Sequence, residues 1–308
     1  MSNLVIVGPT ASGKSALALA VAQRAGAEIV SADSMAVYRG MDIGTAKPTR
    51  AERRQVTHHL VDVVAPDEEF SVAEFQRLAT AVLAQVPRVV VVGGTGLYID
   101  ALVNGLTLPG QWPEIKAALD ARPTAELWAQ LAVRDAVAAT KIEPGNHRRI
   151  VRALEVTIGS GRPFSSFGPG LQPSRLAIDP RTTDAPPFQL VGLRVDRAIL
   201  ARRIAERYTQ QLGAGFLAEV RDLRATYGSR LSRTAAQALG YRELLAHIDG
   251  HGPIDEALAE AQRRTVSFAK RQERWFRRDP RIHWIDMNRA SGDNIDRTAE
   301  RVLADWTR

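Results

Sequence analysis

The sequence predicts an α/β fold, an open parallel sheet wound on both sides by helices, with an all-helical subdomain inserted into it. Three observations predict this. Short Val- and Ile-rich runs alternate with helical patterns near the start, the pattern is helical throughout from Glu114 to Ile158, and strand–helix alternation resumes after a proline-rich stretch. The chain has 308 residues, 45% apolar and 24% charged, which suits a globular core plus an insertion and excludes a disordered polyelectrolyte. It has no Cys, so disulfide frameworks, thiol nucleophiles and Cys-ligated metals are excluded, and a cytoplasmic setting is expected. The longest apolar run, Ala16 to Ala22, has seven residues against the ~20 that span a bilayer. The start of the chain carries no basic region or small-residue cleavage site, so neither a membrane nor an export signal is expected.

Taken in order, Leu4 to Val7, Glu28 to Ser31 and Arg88 to Val92 read as buried parallel strands. Helices Ser15 to Ala25 and Val72 to Gln85 separate them, with apolar residues three and four apart. Leu60 to Val64 is strand-like, following the pair His58 and His59, which have no metal-ligand spacing around them. Six prolines between Arg162 and Phe188 read as loop or hinge. Gln189 to Val195 is the next strand, followed by helical stretches to about Tyr227, then Thr234 to Ile248 and Asp255 to Arg278. A short strand, Ile282 to Ile285, precedes a terminal helix. The expected organisation is an α/β core from 1–112 and 186–308, ending in basic helices, and a helical insertion with its hinge at 113–185.

Gly8-Pro9-Thr10-Ala11-Ser12-Gly13-Lys14-Ser15 fits G-x-x-x-x-G-K-[ST] between a predicted strand and a predicted helix, which is the setting of a phosphate-binding P-loop. The glycines let backbone N–H groups converge on phosphate oxygens, the helix N-terminus adds positive potential, Lys14 supplies a charge and the Ser15 hydroxyl is a ligand for Mg2+. Nucleotide hydrolysis or phosphoryl transfer on such a loop commonly uses a second carboxylate at a neighbouring strand end. Here Val89 to Val92 runs into Gly93-Gly94-Thr95-Gly96 with no acid before Asp100, and the nearest strand-end carboxylate is Asp33. Asp33 falls at the carboxyl edge of the sheet, where open α/β folds bind ligands. It is a candidate for holding magnesium, for acting as a base, or for capping the next segment.

Near the other end, Leu258, Ala261, Thr265, Phe268, Gln272, Trp275 and Phe276 share one side of a helical wheel, with Arg263, Arg264, Lys270, Arg271, Arg274, Arg277 and Arg278 opposite. Residues 263–281 hold eight basic and two acidic residues, a local excess of +6 in a chain whose formal charge is +7. Such a stripe tracks a nucleic-acid backbone or forms a solvated helix face. Arg148, Arg149 and Arg152 make a second basic cluster.

Together these blocks resemble the bacterial tRNA dimethylallyltransferase family. The resemblance rests on the P-loop, Asp33-Ser-Met35, Tyr38-Arg-Gly-Met-Asp-Ile-Gly-Thr-Ala-Lys-Pro48, His58-His-Leu-Val-Asp62, Val92-Gly-Gly-Thr-Gly-Leu-Tyr98, Arg149-Ile-Val-Arg-Ala-Leu-Glu155, Gly240-Tyr-Arg242 and Ala269-Lys-Arg-Gln272. The blocks are collinear over roughly nine tenths of the chain. Ala36, Asn146 and Val266 stand where the family usually has Gln, Asp and Arg.

The resemblance implies a P-loop NTPase-like fold and a monomeric, Mg2+-dependent enzyme that transfers a dimethylallyl group from dimethylallyl diphosphate to the adenosine 3′ of the tRNA anticodon. Residues 8–15 would hold the diphosphate, with Ser15 on the metal. Asp33 would be the general base, Thr95 would orient the amine or the leaving group, and Lys14 and Arg221 would stabilise the departing diphosphate. Contacts to the anticodon stem-loop would come from Asp33, Ser34, Met35, Ala36, Arg148, Arg149, Arg152, Lys270, Arg271 and Arg274. Two other readings start from single features: a small-molecule or nucleotide kinase using ATP on the P-loop, and a non-catalytic RNA-binding protein.

Overall fold

A computed structural model describes residues 3–167, 188–288 and 292–306. Six parallel strands, β1 (Asn3–Val7), β2 (Glu28–Ser31), β3 (His58–His59), β4 (Val89–Gly93), β5 (Phe188–Arg194) and β6 (His283–Asp286), form one sheet in the order β3-β2-β4-β1-β5-β6. The central strands are buried on both faces, which is why they read as unbroken Val and Ile rather than as alternation. Register aligns their carboxyl ends: Val7 lies opposite Gly93 and Gly192, and Ser31 opposite Val92. The loops that follow β1, β2 and β4 therefore emerge together.

Helices cover this sheet. Lys14–Ala25, Val72–Gln85 and Gly96–Val103 contribute Leu17, Val21, Phe75, Tyr98 and Ile99 to its core, with Phe75 and Tyr98 stacked at 4.3 Å between ring centroids. Arg197–Gly213, Phe216–Tyr227, Tyr241–Ile248 and Ile254–Phe276 add Ile204, Tyr208, Phe216, Tyr241 and Ala269. Gly96–Val103 had no separate sequence signal, because its eight residues are buried nearly all round and show little amphipathic period.

Strand β3 corrects one expectation. It occupies His58–His59, and residues 60–64 are not a strand. Leu60 (φ 60°) and Asp62 (φ 58°) adopt left-handed backbone angles, which interrupt an extended ladder whatever the side chains favour. Only a single bridge, Tyr38 to Val64, remains.

The chain divides into two compact units, residues 1–103 with 179–308 and residues 104–178. The second unit is helical and has its own core of Leu119, Leu127, Leu131, Ile150, Val151, Leu154 and Phe164. Within it Asn146 caps the helix His147–Ser160, its side chain accepting from Arg149 N at 3.3 Å. Asn and Asp cap helices about equally well, so that departure from the family pattern leaves the cap in place. Beyond Phe167 the proline-rich segment expected as a hinge lies outside the described residues. No helix among the described residues is long and apolar enough to cross a membrane.

Candidate active site

The phosphate loop leaves β1 through Gly8, turns at Ala11 (φ 61°), and enters the helix at Gly13 (φ 90°). That helix start has no side-chain cap and no acidic residue in its first turn. The helices at Arg50 and Val72 differ: Thr49 and Ser71 accept from Glu52 N and Glu74 N, both at 3.2 Å. The uncapped N–H groups of the first turn, with the helix dipole behind them, form an anion site. Lys14 lies within it. Desolvation pushes its ammonium down to about 8, with Asp33 acting the other way and Arg207 adding to the fall.

Asp33 and Thr95 follow β2 and β4. Asp33 Oδ1 accepts from Met35 N at 2.8 Å, so the segment turns directly after the strand while Oδ2 has no protein partner among the described residues. Thr95 Oγ1 accepts from Ser34 N at 3.2 Å, tying the end of β4 to the residue after Asp33. The glycines around Thr95 permit close approach. A methyl group on Gly93 would overlap Ala32, on Gly94 the Gln272 amide, and on Gly96 the Trp275 ring.

Two cavities of about 210 Å³ each open at these loops. The first is more apolar, walled by Met35, Ile204, Tyr208, Leu239, Tyr241 and Phe268. The second is polar, and Lys14, Ser15, Ser31, Lys47, Glu52 and His58 border it. Thr10, Asp33, Thr45 and Arg207 line both. Asp33 thus stands where a polar compartment meets an apolar one.

Arg207 supplies the second cation of this junction. It donates to Thr10 Oγ1 at 3.2 Å and has no ion-pair partner among the described residues, and burial lowers its pKa against the attraction of nearby groups including Asp33. Arg221, expected in this role, is exposed on the helix Phe216–Tyr227 and lines neither cavity. The signal for Arg207 was its helix position: Leu200, Ile204, Tyr208 and Gln211 mark the buried stripe of Arg197–Gly213, and Arg207 falls beside it. A cation buried beside an apolar stripe, rather than extended to solvent from its edge, is an informative exception.

Gln272 was grouped with the apolar side of the basic helix, and its amide connects that helix to the site. Its Oε1 accepts from Thr10 N at 2.9 Å, and its Nε2 donates to Gly94 O at 2.9 Å. One turn on, Trp275 Nε1 donates to Asp100 Oδ2 at 3.0 Å, while burial pushes the Asp100 carboxyl up to about 6. On the outer face Lys270, Arg271, Arg274 and Arg278 are exposed without ion-pair partners among the described residues, whereas Arg263, Arg264 and Arg277 pair with Glu260, Glu243 and Glu273. The unpaired stripe is narrower than the sequence suggested. Val266 packs partly buried against the core.

The remaining expected contacts are distributed. Ser34 and Met35 line the apolar cavity, and Ala36, 5% exposed, borders the polar one. Arg148 and Arg149 are exposed in the helical unit, where Arg152 is held by Glu155 at 2.9 Å and by Pro109 O at 3.0 Å. His58 borders the polar cavity with Nδ1 on Val56 O at 2.8 Å, and burial lowers its pKa.

The run 42–48 closes one side of both cavities. Lys47, 1% exposed at its side chain, donates to Asp42 at 2.7 Å, to Asp62 at 2.6 Å and to Tyr38 O. Burial alone would raise the Asp62 carboxyl, but hydrogen bonds from Lys47 and Arg53 outweigh it and hold it below the usual range. This joins two sequence blocks that had no assigned role, 42–48 and 58–62.

A parallel sheet with an uncapped G-x-x-x-x-G-K-S loop at the carboxyl end of its first strand defines a phosphate-binding α/β protein of the P-loop type. A family model described as IPP transferase matches residues 36–279. The chain is similar to a tRNA dimethylallyltransferase of Streptomyces coelicolor, 46% identical over 309 aligned positions that span 98% of this chain and 94% of the relative. It is also similar to one of Geobacter metallireducens, 45% identical over 92% of this chain and 93% of the relative. The crystal structure of full-length tRNA isopentenylpyrophosphate transferase from Bacillus halodurans superposes with a TM-score of 0.70 at 34% identity, covering 98% of this chain and 96% of that one. The chain belongs to the IPP transferase family and is a transferase.

Proposed function

We propose that the protein transfers a dimethylallyl group from dimethylallyl diphosphate to the exocyclic amine of the adenosine 3′ to the anticodon in tRNA, releasing diphosphate. One observation carries this reading: the polar and apolar cavities share Asp33, Thr10, Thr45 and Arg207. A diphosphate in the polar compartment and an apolar or aromatic group in the other would meet at Asp33, a carboxylate that lines both and is suited to take a proton.

The chemistry follows from the residues. The exocyclic amine forms a bond to the allylic carbon, the C–O bond breaks with its electron pair on the diphosphate oxygen, and the amine loses one proton. First-turn N–H groups, Lys14 and Arg207 stabilise the oxygen as charge grows on it. Asp33 accepts the proton through its unengaged Oδ2, while Thr95 fixes the adjoining segment through Ser34 and lines the compartment of the incoming base. Adenosine in a stacked anticodon loop must turn out to reach Asp33. Lys270, Arg271 and Arg274, with Arg148 and Arg149 of the helical unit, are the proposed phosphate contacts of the stem-loop.

Magnesium is part of the proposal. Ser15 and Ser31 border the polar cavity and offer the oxygen donors Mg2+ takes. No cluster of three or more His, Cys, Asp or Glu able to hold a metal occurs among the described residues, so the ion would draw its other ligands from diphosphate and water. When bound, it neutralises charge on the leaving group. A monomer acting in the cytoplasm, where tRNA is modified, completes the proposal.

A kinase reading rests on the P-loop alone, and the relatives named above favour prenyl transfer. The deciding experiment is mass spectrometry of tRNA incubated with the protein, dimethylallyl diphosphate and Mg2+. A dimethylallyl adduct on the adenosine 3′ to the anticodon is expected, and unmodified tRNA after long incubation overturns the reading.

A further inference from the structure

We infer that Glu219 is a positioning residue of this reaction: its carboxylate holds the run 42–48, and through it Thr45, at the junction of the two cavities. The inference rests on the proposed prenyl transfer.

Residues 42–48 belong to no helix or strand; their turn satisfies Ala46 N and Lys47 N on Ile43 O and Asp42 O, and the N–H groups of 42–44 need partners from elsewhere. Glu219 supplies them. Its Oε2 accepts from Asp42 N at 2.9 Å and Ile43 N at 2.8 Å, and its Oε1 from Gly44 N at 3.2 Å and the Tyr241 hydroxyl at 2.5 Å. Four donors fill the carboxylate's acceptor capacity. Gln211 completes the set, its Nε2 donating to Ile43 O at 2.6 Å and Gly44 O at 3.1 Å. Hydrogen bonds from N–H groups to an ionised carboxylate are stronger than neutral ones, so the charge itself fixes the loop.

Packing confines this segment as well. A methyl group on Gly44 would overlap the rings of Phe216 and Tyr241, which meet edge to face at 4.9 Å between centroids. Thr45 Oγ1 donates to Met41 O at 2.6 Å, and Ala46 holds a left-handed φ of 49°. That φ costs an alanine about 1 kcal/mol or more, and it persists only where the surroundings over-determine it. The outcome is a fixed Thr45 beside Thr10, Asp33 and Arg207. Glu219 lines neither cavity, so it acts through the loop. Misplacing a wall of the reacting site by about 1 Å lowers turnover about a hundredfold with less effect on binding.

The test compares Glu219→Gln, Glu219→Asp and Tyr241→Phe with the wild type in steady-state transfer to tRNA, alongside hydrogen exchange of the peptide covering residues 38–48. Glu219→Gln keeps the shape but turns an amide N–H2 toward backbone donors. It is expected to lower kcat by about 10- to 100-fold with KM for both substrates within about threefold, and to speed exchange of that peptide selectively. Glu219→Asp should restore part of the kcat, and Tyr241→Phe, which removes one of the four donors, should lose only about two- to fivefold. The inference is overturned if Glu219→Gln keeps wild-type kcat, or if its losses follow only the folded fraction with no selective exchange at 38–48. Should Glu219→Gln not fold, Tyr241→Phe decides, and unchanged kcat with unchanged exchange overturns the inference. A wild type that does not prenylate tRNA refutes the proposed function instead, and the exchange comparison still reports on the loop.

Discussion

Two irregular segments meet at the carboxyl edge of the sheet, and they are held in opposite ways. The phosphate loop, residues 8–15, has left-handed angles at Ala11 and Gly13 and a helix start that carries its own positive potential, and distant side chains hold it only at Thr10, through Gln272 and Arg207. The run 42–48 closes its own turn through Ala46 N to Ile43 O at 3.0 Å and Lys47 N to Asp42 O at 3.1 Å, but its first three N–H groups all go to one distant side chain, Glu219. The run is gripped by Glu219, Gln211 and Tyr241 from about 170 to 200 residues later, and by the Lys47 to Asp62 ion pair. The first segment keeps the donors of its uncapped helix start for a ligand, and the second spends most of its donors on the protein and presents a wall. A site that must hold an anion and also shape an apolar space needs both kinds of loop.

The expected results that sharpen or break this comparison begin with the junction itself. Asp33→Ala should lower kcat by about 10³-fold, within the range for a general base, with tRNA affinity changed only a few-fold in filter binding. Unchanged turnover would remove the base from the mechanism. Next come the cations of the phosphate side. Lys14→Ala and Arg207→Ala should each lower kcat/KM for dimethylallyl diphosphate by about 10²-fold, whereas the exposed Arg221→Ala should stay close to wild type. The reverse order of the two arginines would return the role to Arg221.

On the packed side, Gly44→Ala should destabilise the fold by about 1–3 kcal/mol, the usual range for overpacking, and reduce turnover about tenfold by moving Thr45. Urea unfolding read beside the rate distinguishes the two effects. A pH series tests the phosphate side again. Lys14 sits near 8 in the free protein, and a bound diphosphate favours its charged form. Below pH 8 the ammonium is already present and affinity is flat, while above pH 8 binding must take up a proton. The Kd of an unreactive prenyl diphosphate analogue should therefore rise by up to about tenfold per pH unit above 8, and Lys14→Ala should abolish that break. The smallest effect is on the RNA face. Arg271→Gln with Arg274→Gln should reduce the slope of log K against log salt by about 1.5, and an identical slope would show that these side chains meet no phosphate.

Much of the fold was legible because its signals are local. β1, β2 and β4 announce themselves as Val and Ile runs, the helix Val72–Gln85 has a regular apolar period with Ser71 before it, and the P-loop is a contiguous motif. The strand-like reading of 60–64 failed because Leu60 and Asp62 take left-handed φ, which a run of apolar residues does not report. Arg207 and Gln272 carried a weaker signal, as polar groups on or beside buried stripes. Arg221, expected from the family resemblance, is exposed on its helix.

By itself the sequence determined the sheet's buried strands, the anion-binding loop and the strand-end position of Asp33, since each depends on residues within about ten positions of one another. Tertiary structure alone decided that Arg207 is the second cation, that Gln272 ties the basic helix to Thr10 and Gly94, and that Glu219 fixes residues 42–44. Those contacts join residues far apart in the chain. Their geometry follows from how helices pack on the sheet, and packing selects among many equally polar side chains by distance and direction, which composition and spacing do not encode.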